Sequence, residues 1–258
     1  MHDDDRQNGR ILNRREALAL LGTAGAALLA ARAPWVSAAE PALACVASPE
    51  QTEGPYFVDE RLNRSDIRSD PSDGSVREGL PLTLSLVVSS VAAGKCAPLA
   101  GAMVDLWQCD AHGVYSAVND RMSGTDASSQ KFLRGYQVTD AKGVAAFTTI
   151  YPGWYRGRTV HIHFKIRTPA ASALADRRDG TYGFTSQLFF DEALSDRVYA
   201  QAPYAGKGRR DTTNTRDGIF RESRGQLMLA VAPAQTGYAA SFDIGLDLSN
   251  VGVGRAER

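Results

Sequence analysis

The spacing of its apolar residues constrains this chain more than any other feature. Beyond residue 80 they come in short runs, several of them alternating with polar residues, and each run is closed by a turn signal. "LTLSLVVSSV" (82 to 91) ends at "AAGK", "GAMVDLWQ" (101 to 108) ends at "DAHG", and "VAAFTTI" (144 to 150) follows "TDAKG". "TVHIHFKIR" (159 to 167), "FTSQLFF" (184 to 190), "GQLMLAVA" (225 to 232) and "YAASFDIGLDL" (238 to 248) complete the set. Such runs are strands. Seven or more short strands with no helices between them predict an all-β fold, an antiparallel β-sandwich with long loops and little helix. The best helical pattern is "DEALSDRVYA" (191 to 200). Residues 204 to 223 are long, polar and unpatterned, which reads as a functional loop or as disorder, and residues 169 to 183 form a second such loop.

The opening forty residues follow a different logic. "NRREALALLGTAGAALLAARAPWVSAAE" joins a twin arginine (Arg14, Arg15) to a short Ala/Leu run and then to small residues at Ser37 to Ala39. This reads as a twin-arginine export signal over 1–39, leaving one domain over 40–258 in the periplasm or outside the cell. An anchor helix is the other reading, but Arg32 and Pro34 interrupt the apolar stretch before it reaches the roughly 20 residues a bilayer needs. Cleavage after Ala44, exposing Cys45 as in a lipoprotein, is a third. The twin-arginine route carries folded proteins, so a cofactor can be loaded before export. The 29 basic and 29 acidic side chains cancel, leaving no net field toward nucleic acid or an anionic membrane. Of the three cysteines, Cys45 and Cys96 are the expected disulfide pair in an oxidising compartment.

Within "PGWYRGRTVHIHF" (152 to 164) stand two of the chain's four histidines. On a strand, Val160, Ile162, Phe164 and Ile166 share one face while His161, His163, Lys165 and Arg167 share the other. Both imidazoles then point the same way, able to take adjacent positions on one metal ion. A bare His-x-His also reads as a polar solvent face. A transition metal needs further ligands. His112 is the only other imidazole after the signal, and "FKIRTP" brings no carboxylate. Two tyrosines, Tyr115 after "DAHGV" and Tyr155 after "PGW", sit at strand ends where loops build sites. A free phenol with a pKa near 10 is a poor ligand at neutral pH, but a trivalent ion would take its proton. Two phenolates and a hydroxide would cancel the charge of buried ferric iron.

The runs "TEGPYFV", "VDLWQCDAHGVYS", "GWYRGRTVHIHF" and "SQLFF" resemble, in that order, the motifs of the intradiol ring-cleavage dioxygenases, the family of protocatechuate 3,4-dioxygenase and catechol 1,2-dioxygenase. The similarity runs from about Cys45 to beyond Phe190. It implies a non-haem Fe(3+) held by Tyr115, Tyr155, His161 and His163, with Tyr155 leaving the metal as substrate binds. It also implies that Arg158 stabilises negative charge on the substrate ring and that Gln187 is an active-site residue. The implied reaction is cleavage of a catechol by dioxygen between its two hydroxyl-bearing carbons, giving a cis,cis-muconic acid. Which catechol is used and how subunits associate are left open. The link from Tyr155 to Arg158 is only "RG", shorter than in the protocatechuate enzymes, and no N-terminal helical segment like that of the catechol enzymes is visible. The chain looks more like the exported, stand-alone members.

Gly54 and Pro55 are expected to turn the chain so that Tyr56 faces the pocket mouth, as a substrate contact or part of a plain access loop. His112 reads as a turn residue near the site. Two other functions compete: a zinc hydrolase using His112, His161 and His163, and a secreted β-sandwich binding module.

Overall fold

The computed structural model describes residues 46–121, 124–169 and 181–249. The expected signal segment, Cys45 and most of the expected 169–183 loop lie outside the described residues. The strands are β1 (Pro81–Ala92), β2 (Lys95–Pro98), β3 (Met103–Trp107), β4 (Asn119–Asp120), β5 (Thr125–Asp126) and β6 (Arg134–Val138). They continue with β7 (Val144–Ile150), β8 (His161–Pro169), β9 (Thr181–Phe189), β10 (Val231–Pro233) and β11 (Tyr238–Leu246). Helix α1 spans Glu192–Tyr199, and a short helix α2 spans Gly218–Glu222.

Two sheets make the sandwich. One runs β10-β11-β1-β2 with β7 also paired to β1, and the other runs β6-β3-β8-β9. The expected all-β fold is the observed one, with one departure from antiparallel pairing: β1 and β11 run parallel, Leu82 beside Tyr238 through Ser90 beside Leu246. Alternation in a strand carries no information about its direction, so this pairing is invisible in the sequence. Between the sheets Leu82, Leu84, Leu86 and Val88 of β1 meet Val104 and Leu106 of β3 and Ile162, Phe164 and Ile166 of β8, all at 0–1% exposure. This core fixes β8 face down, because a register slip of one residue would bring its polar face inward.

The remaining differences have local causes. β6 carries no strand signal in the sequence because "RGYQV" has no clean alternation, and it sits at a sheet edge. The expected strand over 225 to 232 is in ladder only from Val231. Its earlier part instead brackets Phe189, which donates to the Leu227 carbonyl at 2.9 Å while its own carbonyl accepts from Leu229 at 2.8 Å. The polar stretch 204 to 223 is ordered: turns of 3-10 helix at Tyr204–Lys207 and Asn214–Arg216 lead into α2. The Asp217 side chain caps α2, accepting from Ile219 and Phe220 N–H at 2.8 and 3.1 Å. Cys96 is disulfide-bonded and Cys109 is a buried free thiol.

Candidate metal centre

β8 positions the site. Both its neighbours run antiparallel to it, and the register sets His163 opposite Trp107 on β3 and Gln187 on β9, with His161 opposite Phe189. Directly opposed residues project to one face, so both imidazoles, the Trp107 indole and the Gln187 amide leave the sheet together. That face is not the solvent face the bare motif allows, since His161, His163 and Gln187 are 2, 1 and 0% exposed. A second cluster covers it, with Trp107, Cys109 and Tyr115 buried and Tyr56, Phe57 and Tyr155 packed against them. Trp107 lies flat on His163, ring centroids 4.9 Å apart and planes within 9°.

The tyrosines arrive on two turns docked backbone to backbone. After Trp107, the Asp110 carboxylate accepts the His112 and Val114 N–H groups, each at 2.9 Å, and closes the turn that delivers Tyr115. Tyr155 follows the turn after β7, where Gly153 N–H donates to the Asp110 carbonyl at 3.1 Å. A Cβ at Gly153 would collide with the carbonyl oxygens of Asp110 and Ala111. Gly113, at φ 82°, faces the Trp154 carbonyl in the same way. Glycine at these two positions therefore sets the approach of the turns, and with it the separation of the two phenols.

At the centre, His161 Nε2 lies 3.0 Å from His163 Nε2, 3.2 Å from Tyr155 Oη and 3.5 Å from Arg158 Nη1. His161 Nδ1 is 2.6 Å from the Thr159 carbonyl oxygen. A carbonyl only accepts, so Nδ1 carries the proton and Nε2 presents a lone pair. Tyr115 completes the group, its ring 5.6 Å from that of Tyr155 and 6.2 Å from that of His163. It is stacked on Tyr56 at 4.2 Å and 10°, and its buried hydroxyl, close to that of Tyr155, makes no well-formed hydrogen bond among the described residues.

Burial, with the Arg158 charge, holds the His161 pKa down to about 3, and burial with His161 and Arg158 beside it holds His163 well below its usual value. Burial raises both phenols, Tyr115 and Tyr155, above theirs. Without a cation the four groups are neutral. A bound cation inverts the phenol preference by pairing with phenolate. The donor set fits a hard trivalent ion: imidazole lone pairs converge, the orphaned Tyr115 hydroxyl gains a partner, and two phenolates offset most of the buried charge.

Arg158 and Gln187 stand beside this centre. Arg158 Nη2 donates to Gln187 Oε1 at 2.6 Å, and Gln187 Nε2 donates to the Thr52 carbonyl at 2.9 Å. Arg158 Nε donates to Asp217 at 2.8 Å. The short "RG" link is held from outside, with Gly157 N–H donating to the Asp211 carboxylate at 3.1 Å. Tyr56, beyond the positive-φ Gly54, packs edge-on to Tyr155 at 5.7 Å and donates to Asp120 at 3.2 Å. His112 is exposed, and its backbone carbonyl accepts from Lys207 Nζ. Among the described residues no group of three His, Cys, Asp or Glu side chains is placed to hold a metal, which leaves the three-histidine zinc site without its geometry. Asp217, Asn214 and Trp107 are site neighbours that the sequence did not announce. Trp107 could have been found from the strand register, whereas the other two come from the unpatterned stretch.

A dioxygenase family model matches residues 52–193. Among solved structures, an intradiol ring-cleavage dioxygenase from Tetranychus urticae is 31% identical, with a TM-score of 0.64 over 80% of this chain and 96% of that one. The dioxygenase domain of a dioxygenase carbohydrate-binding protein fusion from Streptomyces sp. SirexAA-E is 33% identical, with a TM-score of 0.54 over 78% and 99%. A chlorocatechol 1,2-dioxygenase from Pseudomonas sp. (strain P51) is 30% identical over 113 residues, which span 37% of this chain and 39% of that protein. The matched residues include both tyrosine turns and the whole of β8, and on these matches the chain belongs to the intradiol ring-cleavage dioxygenases.

Proposed function

We propose that the protein cleaves a catecholic ring with dioxygen, using ferric iron held by Tyr115, Tyr155, His161 and His163, and releases a cis,cis-muconic acid. The observation that carries this reading is the convergence on His161 Nε2 of the Tyr155 hydroxyl, the second imidazole and the Arg158 guanidinium within 3.5 Å. The chemistry a ferric ion supplies there is neutralisation of a bound catecholate and the electron-accepting capacity that opens it to dioxygen. The names of the curated relatives point to a catechol-type substrate.

The chain's own groups divide the rest of the work. Tyr155, on the less buried side of the cluster, is the base at its Oη for one catechol proton. Tyr115 is buried beneath Tyr56 and holds its place. Arg158 Nη1 faces the centre and stabilises negative charge that builds on the ring. Gln187 holds Arg158 from the β9 side, and Trp107, Phe57 and Tyr56 keep water from the groups that would otherwise be solvated. Catechol and dioxygen together contain all the atoms of the muconic acid, so no other reductant enters.

The twin arginine Arg14–Arg15 and the small residues at 37–39 support export, with the folded domain carried out after its metal is loaded.

Protein expressed with iron should be coloured by a phenolate-to-iron charge-transfer band that moves when catechol is added without oxygen. Admitting oxygen should consume one equivalent and yield a muconic acid. A yellow semialdehyde product, or protein that takes no iron, overturns the proposal. Running catechol, protocatechuate and hydroxyquinol side by side assigns the substrate.

A further inference from the structure

The stretch from Tyr204 to Ser223 reaches back to the site through Asp211, Asn214 and Asp217, and of these Asp217 bonds Arg158 itself. The Asp217 side chain is 1% exposed and pairs with Arg158 through Nε at 2.8 Å. The same carboxylate oxygen accepts Thr159 N–H at 2.9 Å, and the other caps α2. Nearby, Thr159 Oγ1 donates to Asn214 Oδ1 at 2.5 Å, and Asn214 Nδ2 donates to the Phe190 carbonyl at 2.9 Å. The loop is thereby tied both to the residue that orients His161 and to the end of β9.

We infer that Asp217 is the positioning residue for Arg158, fixing the guanidinium so that Nη1 alone is turned toward the metal centre; this rests on the role proposed above for Arg158. A guanidinium is a rigid planar fork. With Nε bound to Asp217 and Nη2 bound to Gln187, its plane and rotation are set by two anchors. Nη1 then lies 3.5 Å from His161 Nε2. Removing the Asp217 anchor leaves an arginine with one tether and several free rotamers. A group that stabilises charge works only when its geometry is fixed before the reaction.

The test uses the iron-loaded enzyme and catechol, in a cycle of wild type, Asp217→Asn, Arg158→Gln and the double variant. Asparagine can still cap α2 through its carbonyl, but it cannot hold the charged guanidinium. Asp217→Asn should lower kcat about tenfold while leaving KM and the anaerobic shift of the visible band close to wild type. In the Arg158→Gln background the same substitution should change kcat less than twofold. In metal-free protein, thermal melts of the four forms should be non-additive, because the two residues touch. Should Asp217→Asn not fold, Asp217→Ser retains a good helix cap and takes its place. Equal losses of kcat in both backgrounds, or no loss in either, overturn the positioning role. If Arg158→Gln itself leaves kcat unchanged, it is the role of Arg158 that fails.

Discussion

The two faces of β8 are built from one alternating run and meet opposite fates. On one side Ile162, Phe164 and Ile166 enter a core shared with β1 and β3, where nothing but shape is required of them. On the other side His161, His163 and Lys165 are almost as deeply covered and Arg167 less so, yet several of their polar atoms are matched by a group from elsewhere in the chain. His161 is oriented by Thr159, Lys165 reaches Glu53, and Arg167 grips Asp105 and Asp59. Burial alone therefore does not separate core from site. The difference is that the apolar face is satisfied by area, whereas the polar face needs partners and, at His161, His163 and Tyr115, the metal proposed above.

That contrast breaks most sharply at Tyr115. Tyr115→Phe removes one oxygen that makes no well-formed hydrogen bond in the metal-free site and leaves the ring stacked on Tyr56. Ring cleavage and the visible band should fall by more than about a hundredfold, beyond the loss of an outer partner, while the metal-free melting temperature stays level or rises slightly. Iron analysis, spectra and thermal melts decide it. Across the strand, Phe164→Ala should do the reverse. It should cost about 3–5 kcal/mol in a urea titration and leave the band position of the iron-loaded protein unchanged. A Phe164→Ala protein with wild-type stability and a shifted band would merge the two faces.

Arg167 tests whether polar partners on this face are as costly to lose as core area. It bonds Asp105 through three contacts of 2.8 to 3.0 Å, and the Asp105 side chain is only 11% exposed. Burial raises the Asp105 pKa to about 6 even against the pull of Arg167. Arg167→Met should cost about 3 kcal/mol at pH 7, because it leaves a buried carboxylate unpaired. The sign with pH follows from proton binding. With Arg167 in place the folded state holds a proton on Asp105 that the unfolded state releases near pH 4, so wild-type stability falls as pH rises from about 4 to about 6. Loss of Arg167 raises the folded pKa further and carries the decline above pH 6. Urea midpoints of both proteins from pH 4 to 8 measure it, and parallel curves would refute the coupling.

The same contrast explains what could be read in the sequence. The apolar face of β8 and the strands around it follow from period-two alternation, a local signal. Of the groups at the proposed metal centre, His161 and His163 share that signal, Tyr115 and Tyr155 stand out by their places at strand ends and are assigned by motif resemblance, and Arg158 and Gln187 rest on that resemblance alone. Asp217 gave no sign, since its place beside Arg158, 59 positions away, depends on how an unpatterned loop folds back. The docking of the two tyrosine turns was hidden for a similar reason. Gly113 and Gly153 look like ordinary turn glycines until the two backbones are seen to touch. The parallel pairing of β1 and β11 depends on strand direction, which composition and alternation do not encode.

Lys165 marks the smallest step on the polar face and therefore the outer limit of the comparison. Its ammonium lies 2.9 Å from Glu53, whose side chain is 38% exposed, and 4.5 Å from the centre of the Phe57 ring. Lys165→Met keeps the apolar stem that packs on Phe57 and removes only the charge. Water can then solvate Glu53 in place of the lysine, which Asp105 beneath Arg167 does not allow. The expected cost is about 1 kcal/mol or less, seen as a small shift of the urea midpoint, with iron content and the visible band unchanged. A loss as large as that of Arg167→Met would mean that the "TEGPYFV" segment depends on this contact for its position over His163, and that the polar face is one cooperative unit from its centre to its rim.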